Sequence, residues 1–325
     1  MGTHVLRIVA TLALAVAVAW PAPARAQAGW PEALTIGTAS PGGTYDAYGA
    51  GVARILTRVL GIPVGARSTE GPNENMKLLE AGDIQLAFVT MGAALQAWNG
   101  SAAWTAGRQF HAMRAIFPMY DTPIQFMALQ GSGIRSIADL TGKRVGAGPR
   151  TGTAGTYIPR FFATLKIDAV LSYGDWSDLA AQVQAGTLDA LAVASGVPFP
   201  SFAELEARNK VRYIPLAPEQ IVALRLAIPE LTPSTVPAGA YPSLLTEYRT
   251  VGLYNFAVAR EDLPDELVYR IVKAVFANRE ELIAAHPAAA ATIPANFSRN
   301  AFLPFHGGAI RYYREVGGAD VVLGD

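Results

Sequence analysis

The chain has 325 residues, 51% of them hydrophobic and only 16% charged, with 26 basic against 26 acidic side chains. That length holds one large domain or two ordinary ones with substantial cores, and the balanced charge leaves no footprint for nucleic acid or an anionic membrane. There is no cysteine, which excludes disulfides, thiolate catalysis, iron–sulfur clusters and cysteine-based zinc sites.

At the N-terminus, His4 and Arg7 precede an apolar run from Ile8 to Trp20, followed by Ala24-Arg25-Ala26. A positive start, an apolar middle and a small-x-small site are the pattern of a cleaved signal peptide, here over residues 1–26. The run is short for a bilayer span and ends at prolines, which argues against a membrane anchor. Cleavage after Ala26 starts the mature chain at Gln27; cleavage after Ala28 is the alternative. Removing Arg7 and Arg25 leaves 24 basic and 26 acidic residues, a charge of about −2.

Next comes LTIGTASPGGTY, Leu34 to Tyr45: a short apolar strand, a glycine loop and the start of a helix. Tyr48, Val52, Ile55, Leu56, Val59 and Leu60 then recur at helical steps. Such a loop leaves backbone N–H groups unpaired at a helix N-terminus, where the dipole favours an anion or carboxylate. Further on, the pattern predicts a helix over Asn75–Glu80 and a strand over Ile84–Val89. Two apolar runs follow within Ala115–Leu129, broken at Tyr120-Asp121-Thr122-Pro123, and then a connecting helix and turn over Ile134–Lys143.

The first stretch has an echo. Arg144 to Thr153, RVGAGPRTGT, repeats strand, glycine loop and helix start, and Gly146 and Gly152 keep the spacing of Gly37 and Gly43. Ala81–Gly92 and Ala185–Gly196 form a second matching pair, each an Ala-Gly helix end, a turn and a buried strand. The echo implies two α/β lobes of similar build, with a cleft at the carboxyl ends of their strands. Helices are expected at Tyr157–Leu165 and Trp176–Gln184, and strands at Val170–Tyr173, Leu188–Val193 and Val211–Leu216. Residues 217–247 are proline-rich and expected to be irregular. A strand at Thr250–Val258 returns to the first lobe. A helical stretch over Pro264–Ala285 and a last helix near Gly307 close the chain. The expected lobes are 29–130 and 248–325 for the first and 131–247 for the second, so the chain crosses twice and makes a hinge.

Catalytic constellations are lacking. His111, His286 and His306 are isolated and sit at no metal spacing, and there is neither a nucleophile elbow nor a phosphate-loop lysine. No cofactor, metal or catalytic residue is expected. The candidate ligand residues are Ser40, Gly43, Thr44, Tyr45, Asn75 and Thr90 from the first lobe, and Thr151, Gly152, Thr153 and Ser195 from the second. Arg150, inside the second glycine loop, is either a guanidinium fork for a carboxylate or an exposed loop residue.

In order along most of the mature chain, several segments resemble a known family. They are Ile36-Gly37-Thr38 with Gly42-Gly43-Thr44-Tyr45; Glu74-Asn75 with Leu78-Leu79 and Ala81-Gly82; and Ala138 to Val145. Gly186 to Ala190 with Ser195-Gly196-Val197-Pro198, Val236 to Gly239 with Tyr241, and His306 to Glu315 complete the set. The chain resembles the TAXI-type solute receptors of tripartite ATP-independent periplasmic (TRAP) transporters. The resemblance implies a two-lobed periplasmic binding protein fold of type II-like α/β build with two hinge crossings. It also implies periplasmic location, a small carboxylate solute (glutamate-like or 2-oxoacid-like) and delivery to TRAP membrane subunits. There are departures. Thr90-Met91-Gly92 lacks the acid that more often closes this run, which weakens the case for an amino acid, whose ammonium needs an anionic or carbonyl partner. The Gly146–Thr153 loop carries Arg150 and one residue more than usual, and Pro72 replaces a serine. The competing readings are a periplasmic sensor using the same cleft and an exported enzyme.

Overall fold

The computed structural model of the protein describes residues 29–317; the expected leader lies outside them. The described residues form ten strands and ten α-helices. The strands are β1 (Leu34–Gly37), β2 (Val64–Arg67), β3 (Leu86–Thr90), β4 (Met113–Leu129), β5 (Arg144–Gly146), β6 (Val170–Ser172), β7 (Ala190–Ala194), β8 (Val211–Tyr213), β9 (Thr232–Val236) and β10 (Tyr248–Arg260). The helices are α1 (Thr44–Leu60), α2 (Pro72–Ala81), α3 (Met91–Asn99), α4 (Thr153–Leu165), α5 (Trp176–Gln184), α6 (Pro200–Arg208), α7 (Pro218–Ala227), α8 (Asp265–Ala277), α9 (Arg279–Ala285) and α10 (Gly307–Glu315).

One mixed sheet runs β2-β1-β3-β10-β4-β7-β5-β6, with β9 added on β10 and β8 on β4. It has two similar halves. β2, β1 and β3 are parallel, as are β6, β5 and β7, and the antiparallel pair β10–β4 stands between the two trios. Their cores are separate. One apolar cluster takes Ile124, Phe126, Met127, Ala128, Val145, Phe161, Phe162, Phe202, Val251 and Leu253. Two others cover the faces of the first half, where Tyr48, Ile55, Phe88, Ile271 and Tyr313 pack on one side and Met76, Val89, Ala94 and Phe256 on the other. The expected boundaries at 130 and 248 fall just after the last residue of β4 and on the first residue of β10.

The glycine echo has a structural cause. Gly43 and Gly152 are the N-caps of α1 and α4, and Gly37 and Gly146 end the strands before those loops. A Cβ at Gly37 would sit 2.6 Å from the Asn75 amide oxygen, and one at Gly146 would sit 2.8 Å from Leu191.

Three expectations are corrected. The break inside Ala115–Leu129 does not end the strand: β4 runs for 17 residues, with a register shift against β10 at Met119–Tyr120 and with Thr122 and Pro123 paired to Leu253 and Gly252. Gly252 is required there, since a Cβ would lie 2.7 Å from the Thr122 carbonyl oxygen. The connecting helix at Ile134–Lys143 shrinks to a 3-10 turn, Ile137–Leu140. Residues 217–247 are not irregular throughout but hold α7 and β9; α7 buries only Leu224 and so leaves no apolar period to read.

Candidate ligand-binding cleft

Between the two sheet halves lies a narrow cavity of about 40 Å³. From the first half, Ala39, Ser40, Gly43, Thr44 and Tyr45 reach it from the loop and first turn of α1, and Gly71 and Pro72 from the start of α2. From the second half come Pro149, Gly152, Thr153 and Ala154 at the start of α4, Trp176 at the start of α5, and Ala194, Ser195 and Gly196 after β7. Tyr120 and Thr122 rise from β4 between them.

Two helix N-termini, 17 and 13 residues long, therefore converge from opposite sides. The backbone N–H groups of Thr44, Tyr45, Thr153 and Ala154 meet no acceptor among the described residues. No Lys, Arg or His lines the cavity, and Glu70 at the rim is its single charged side chain. Such a lining receives negative charge through oriented amides and hydroxyls rather than through a cation.

Hydroxyls add to this. Ser40 Oγ and Tyr120 OH are buried and have no hydrogen-bond partner. Leaving such a group unpaired costs about 1–3 kcal/mol, so an occupant that pairs them is favoured over an empty cavity. Burial holds the Tyr120 phenol well above its ordinary pKa, with the neighbouring Tyr45 and Tyr48 adding to the shift. It therefore stays a neutral donor. Tyr45 contributes its ring rather than its hydroxyl, which donates to Asn255 Oδ1 at 2.6 Å. Asn255 in turn donates to the Tyr120 carbonyl at 2.6 Å and so fixes that residue on β4.

The halves touch directly. Ser195 Oγ donates to Thr44 Oγ1 at 3.0 Å, and Thr44 Oγ1 to the Gly196 carbonyl at 3.2 Å. Ser201 Oγ donates to the Gly42 carbonyl at 3.2 Å. Gly71 and Gly152 meet backbone to backbone: a Cβ on Gly71 would lie 3.1 Å from the Gly152 Cα. The Trp176 indole is wedged between the two glycine loops. Its pyrrole edge faces Gly43, and its benzene edge occupies the place that a Cβ on Gly148 would need.

Seven of the eleven residues singled out from the sequence line this cavity: Ser40, Gly43, Thr44, Tyr45, Gly152, Thr153 and Ser195. The other four lie outside its lining. Asn75 is fully buried; its amide donates to the Thr38 and Phe88 carbonyls at 2.8 and 2.9 Å and accepts from Thr69 Oγ1 at 2.7 Å. Its hydrogen-bonding capacity is spent on pinning β1, β3 and the loop before α2. Thr90 is buried at the end of β3 with its hydroxyl unpartnered, outside the lining. Arg150 is exposed and lies over the Tyr173 ring, 4.0 Å from its centroid. With Thr151 it borders an outer groove instead, and Thr151 Oγ1 donates to Glu70 Oε2 at 2.7 Å. Sequence reasoning missed Tyr120, Thr122, Trp176 and Gly196. The signals were present, since Tyr120-Asp121-Thr122 interrupts an apolar run and Trp176 opens a helix.

Residues 36–317 match the model of the NMT1-like family. The chain belongs to the NMT1-like family. This NMT1-like chain is also similar in fold to solved binding proteins. An ancestral arginine-binding protein bound to arginine shares 13% identity over 79% of this chain and 97% of its own, with a TM-score of 0.51. PhnD1 from Prochlorococcus marinus (MIT 9301), in complex with methylphosphonate, shares 13% over 80% and 91%, with a TM-score of 0.51. A periplasmic transporter structure shares 14% over 87% and 92%, with a TM-score of 0.52. The α/β architecture is like that of these binding proteins, a two-lobed fold of type II-like build. Among the described residues no helix is long and apolar enough to cross a membrane, and no group of three or more His, Asp or Glu could hold a metal ion.

Proposed function

We propose that this protein is an exported periplasmic receptor. It captures one small carboxylate-bearing solute between its lobes and delivers it, chemically unchanged, to the membrane subunits of a TRAP-type transporter. The observation that carries the reading is the pair of opposed helix N-termini, with free N–H groups at Thr44, Tyr45, Thr153 and Ala154, around a cavity with no basic side chain. The buried hydroxyls of Ser40 and Tyr120 supply further donors. The TRAP partner and the carboxylate class rest on the resemblance of the segments between Ile36 and Glu315. The lobes, 29–130 with 248–325 and 131–247, move about the paired strands β4 and β10, which among the described residues are the long strands that both halves share.

A thermal-shift screen of mono- and dicarboxylates, 2-oxoacids and acidic amino acids tests the reading, with phosphonates and sulfonates as the competing anions. The expected result is one carboxylate that adds about 2.7 kcal/mol of stability at a hundred times its Kd and is recovered unaltered. Turnover of that compound, or preference for a phosphonate or sulfonate, contradicts the reading.

A further inference from the structure

A second contact between the lobes lies outside the cavity, at the first two turns of α3. Gln96 is 6% exposed and belongs to the first lobe, where its neighbours Ala93, Ala94 and Ala97 sit in the β3 core. Its Nε2 donates to Glu230 Oε1 at 3.0 Å and to the Tyr157 hydroxyl at 3.2 Å, both on the second lobe. Its Oε1 accepts from the indole N–H of Trp104 at 3.0 Å, which orients the amide so that its N–H groups face the other lobe. Arg160 donates to the same Glu230 oxygen at 3.0 Å, so the carboxylate is neutralised from its own lobe before Gln96 reaches it.

The backbone is shaped for the same meeting. One turn earlier on α3, a Cβ at Gly92 would collide with the Tyr157 hydroxyl and lie 3.1 Å from the Glu230 Cβ. Only glycine lets the second lobe settle here. Beside this contact, Asn73 Nδ2 donates to Thr156 Oγ1 at 2.9 Å, another bond from lobe to lobe.

We propose that Gln96, backed by Trp104 and seated against Glu230 and Tyr157 by the bare backbone at Gly92, is a latch that sets how much of the ligand-free protein is closed. None of these five residues lines the inner cavity, so the latch acts on the lobes and not on the solute. Two bonds from one amide, one of them to a carboxylate, are worth roughly a ten- to hundredfold bias in the closed-to-open ratio. If the cleft takes a solute as proposed above, the apparent affinity follows the closed population, and Gln96 tunes it without touching the solute.

The chain contains no cysteine, so two introduced thiols report the motion cleanly. Asp83 on the first lobe and Asp178 on the second are both exposed. Spin labels at Asp83→Cys and Asp178→Cys give the inter-lobe distance distribution by pulsed dipolar spectroscopy, without solute. The wild-type background should hold a short, closed population. Gln96→Ala should move it to the long distance by roughly ten- to hundredfold in population ratio with little change in the unfolding midpoint, since it removes no core side chain; Gly92→Ala should move it the same way but lower the midpoint, because its Cβ would also press on buried Leu253. Trp104→Phe, which keeps the ring and removes the N–H, should move it in the same direction by less. Distributions identical in wild type, Gln96→Ala and Gly92→Ala, or a wild type wholly at the long distance, overturn the latch. The readout needs no solute, so a wrong assignment of the cleft's ligand leaves this test intact.

Discussion

At the residue scale, the cleft separates side chains that face a ligand from side chains that hold the frame. Tyr120→Phe and Ser40→Ala each remove one unpartnered buried hydroxyl while keeping most of the packing. Each should weaken solute binding by about 3- to 10-fold, the worth of one neutral hydrogen bond, with little change in the unfolding midpoint. Paired calorimetry and denaturation on each variant check this. Asn75→Ala should behave oppositely. It strips partners from the Thr38 and Phe88 carbonyls and from Thr69, so the expected loss is on the order of 3 kcal/mol of fold stability. The sequence placed Asn75 in the site because a polar residue near a helix start reads the same whether it faces a cleft or a strand. Position in a glycine loop does not say which way a side chain turns, which left Arg150 open between a fork and a loop residue; here it turns onto Tyr173. Arg150→Ala should leave solute affinity unchanged.

At the element scale, the strand–glycine loop–helix unit was legible twice over, because Gly43 and Gly152 must cap helices and Gly37 and Gly146 must pass close to neighbouring side chains. The central strands were less legible. Pro123 inside an apolar run reads as a break, yet β10 supplies Gly252 opposite it and Asn255 beyond it, whose amide holds the Tyr120 carbonyl where the register shifts, and the strand continues. Those partners lie some 130 residues away in sequence, beyond any local pattern. The helix termini permit a backbone test. Thr153 is the first residue of α4, where proline is tolerated, and Gly152 before it is already extended (φ −74, ψ 172). Thr153→Pro deletes one N–H and the hydroxyl and keeps the helix. Binding should weaken by roughly ten- to a hundredfold, as for the loss of a charge-assisted bond, with the circular dichroism spectrum unchanged. Wild-type affinity in this variant would remove α4 from the ligand site.

At the scale of the whole molecule, the C-terminal helices brace the first lobe, and one buried histidine links that bracing to pH. His286 follows α9, is 3% exposed and accepts from the Ala288 N–H through Nδ1. Burial pushes its pKa down to about 4, against a smaller opposing effect of its hydrogen bond with the Pro198 backbone. The folded state thus prefers the neutral ring, whereas the unfolded chain takes up a proton near pH 6.5. The stabilisation is fully present above about pH 6.5 and is lost as pH falls toward 4, by on the order of 3 kcal/mol. Urea unfolding at pH 7.5 and at pH 5 should show the fall, and His286→Asn should flatten it; equal slopes in the two proteins would contradict the assignment.

The central claim is that opposed helix N-termini and neutral hydroxyls hold an anionic group with no cation beside it. The most direct measurement is the calorimetric Kd of the best carboxylate found in the screen, set against that of its carboxamide, which has the same size and shape without the charge. Charge-assisted bonds from several N–H groups predict a carboxamide at least a hundredfold weaker. A carboxamide that binds as tightly as the carboxylate contradicts the account.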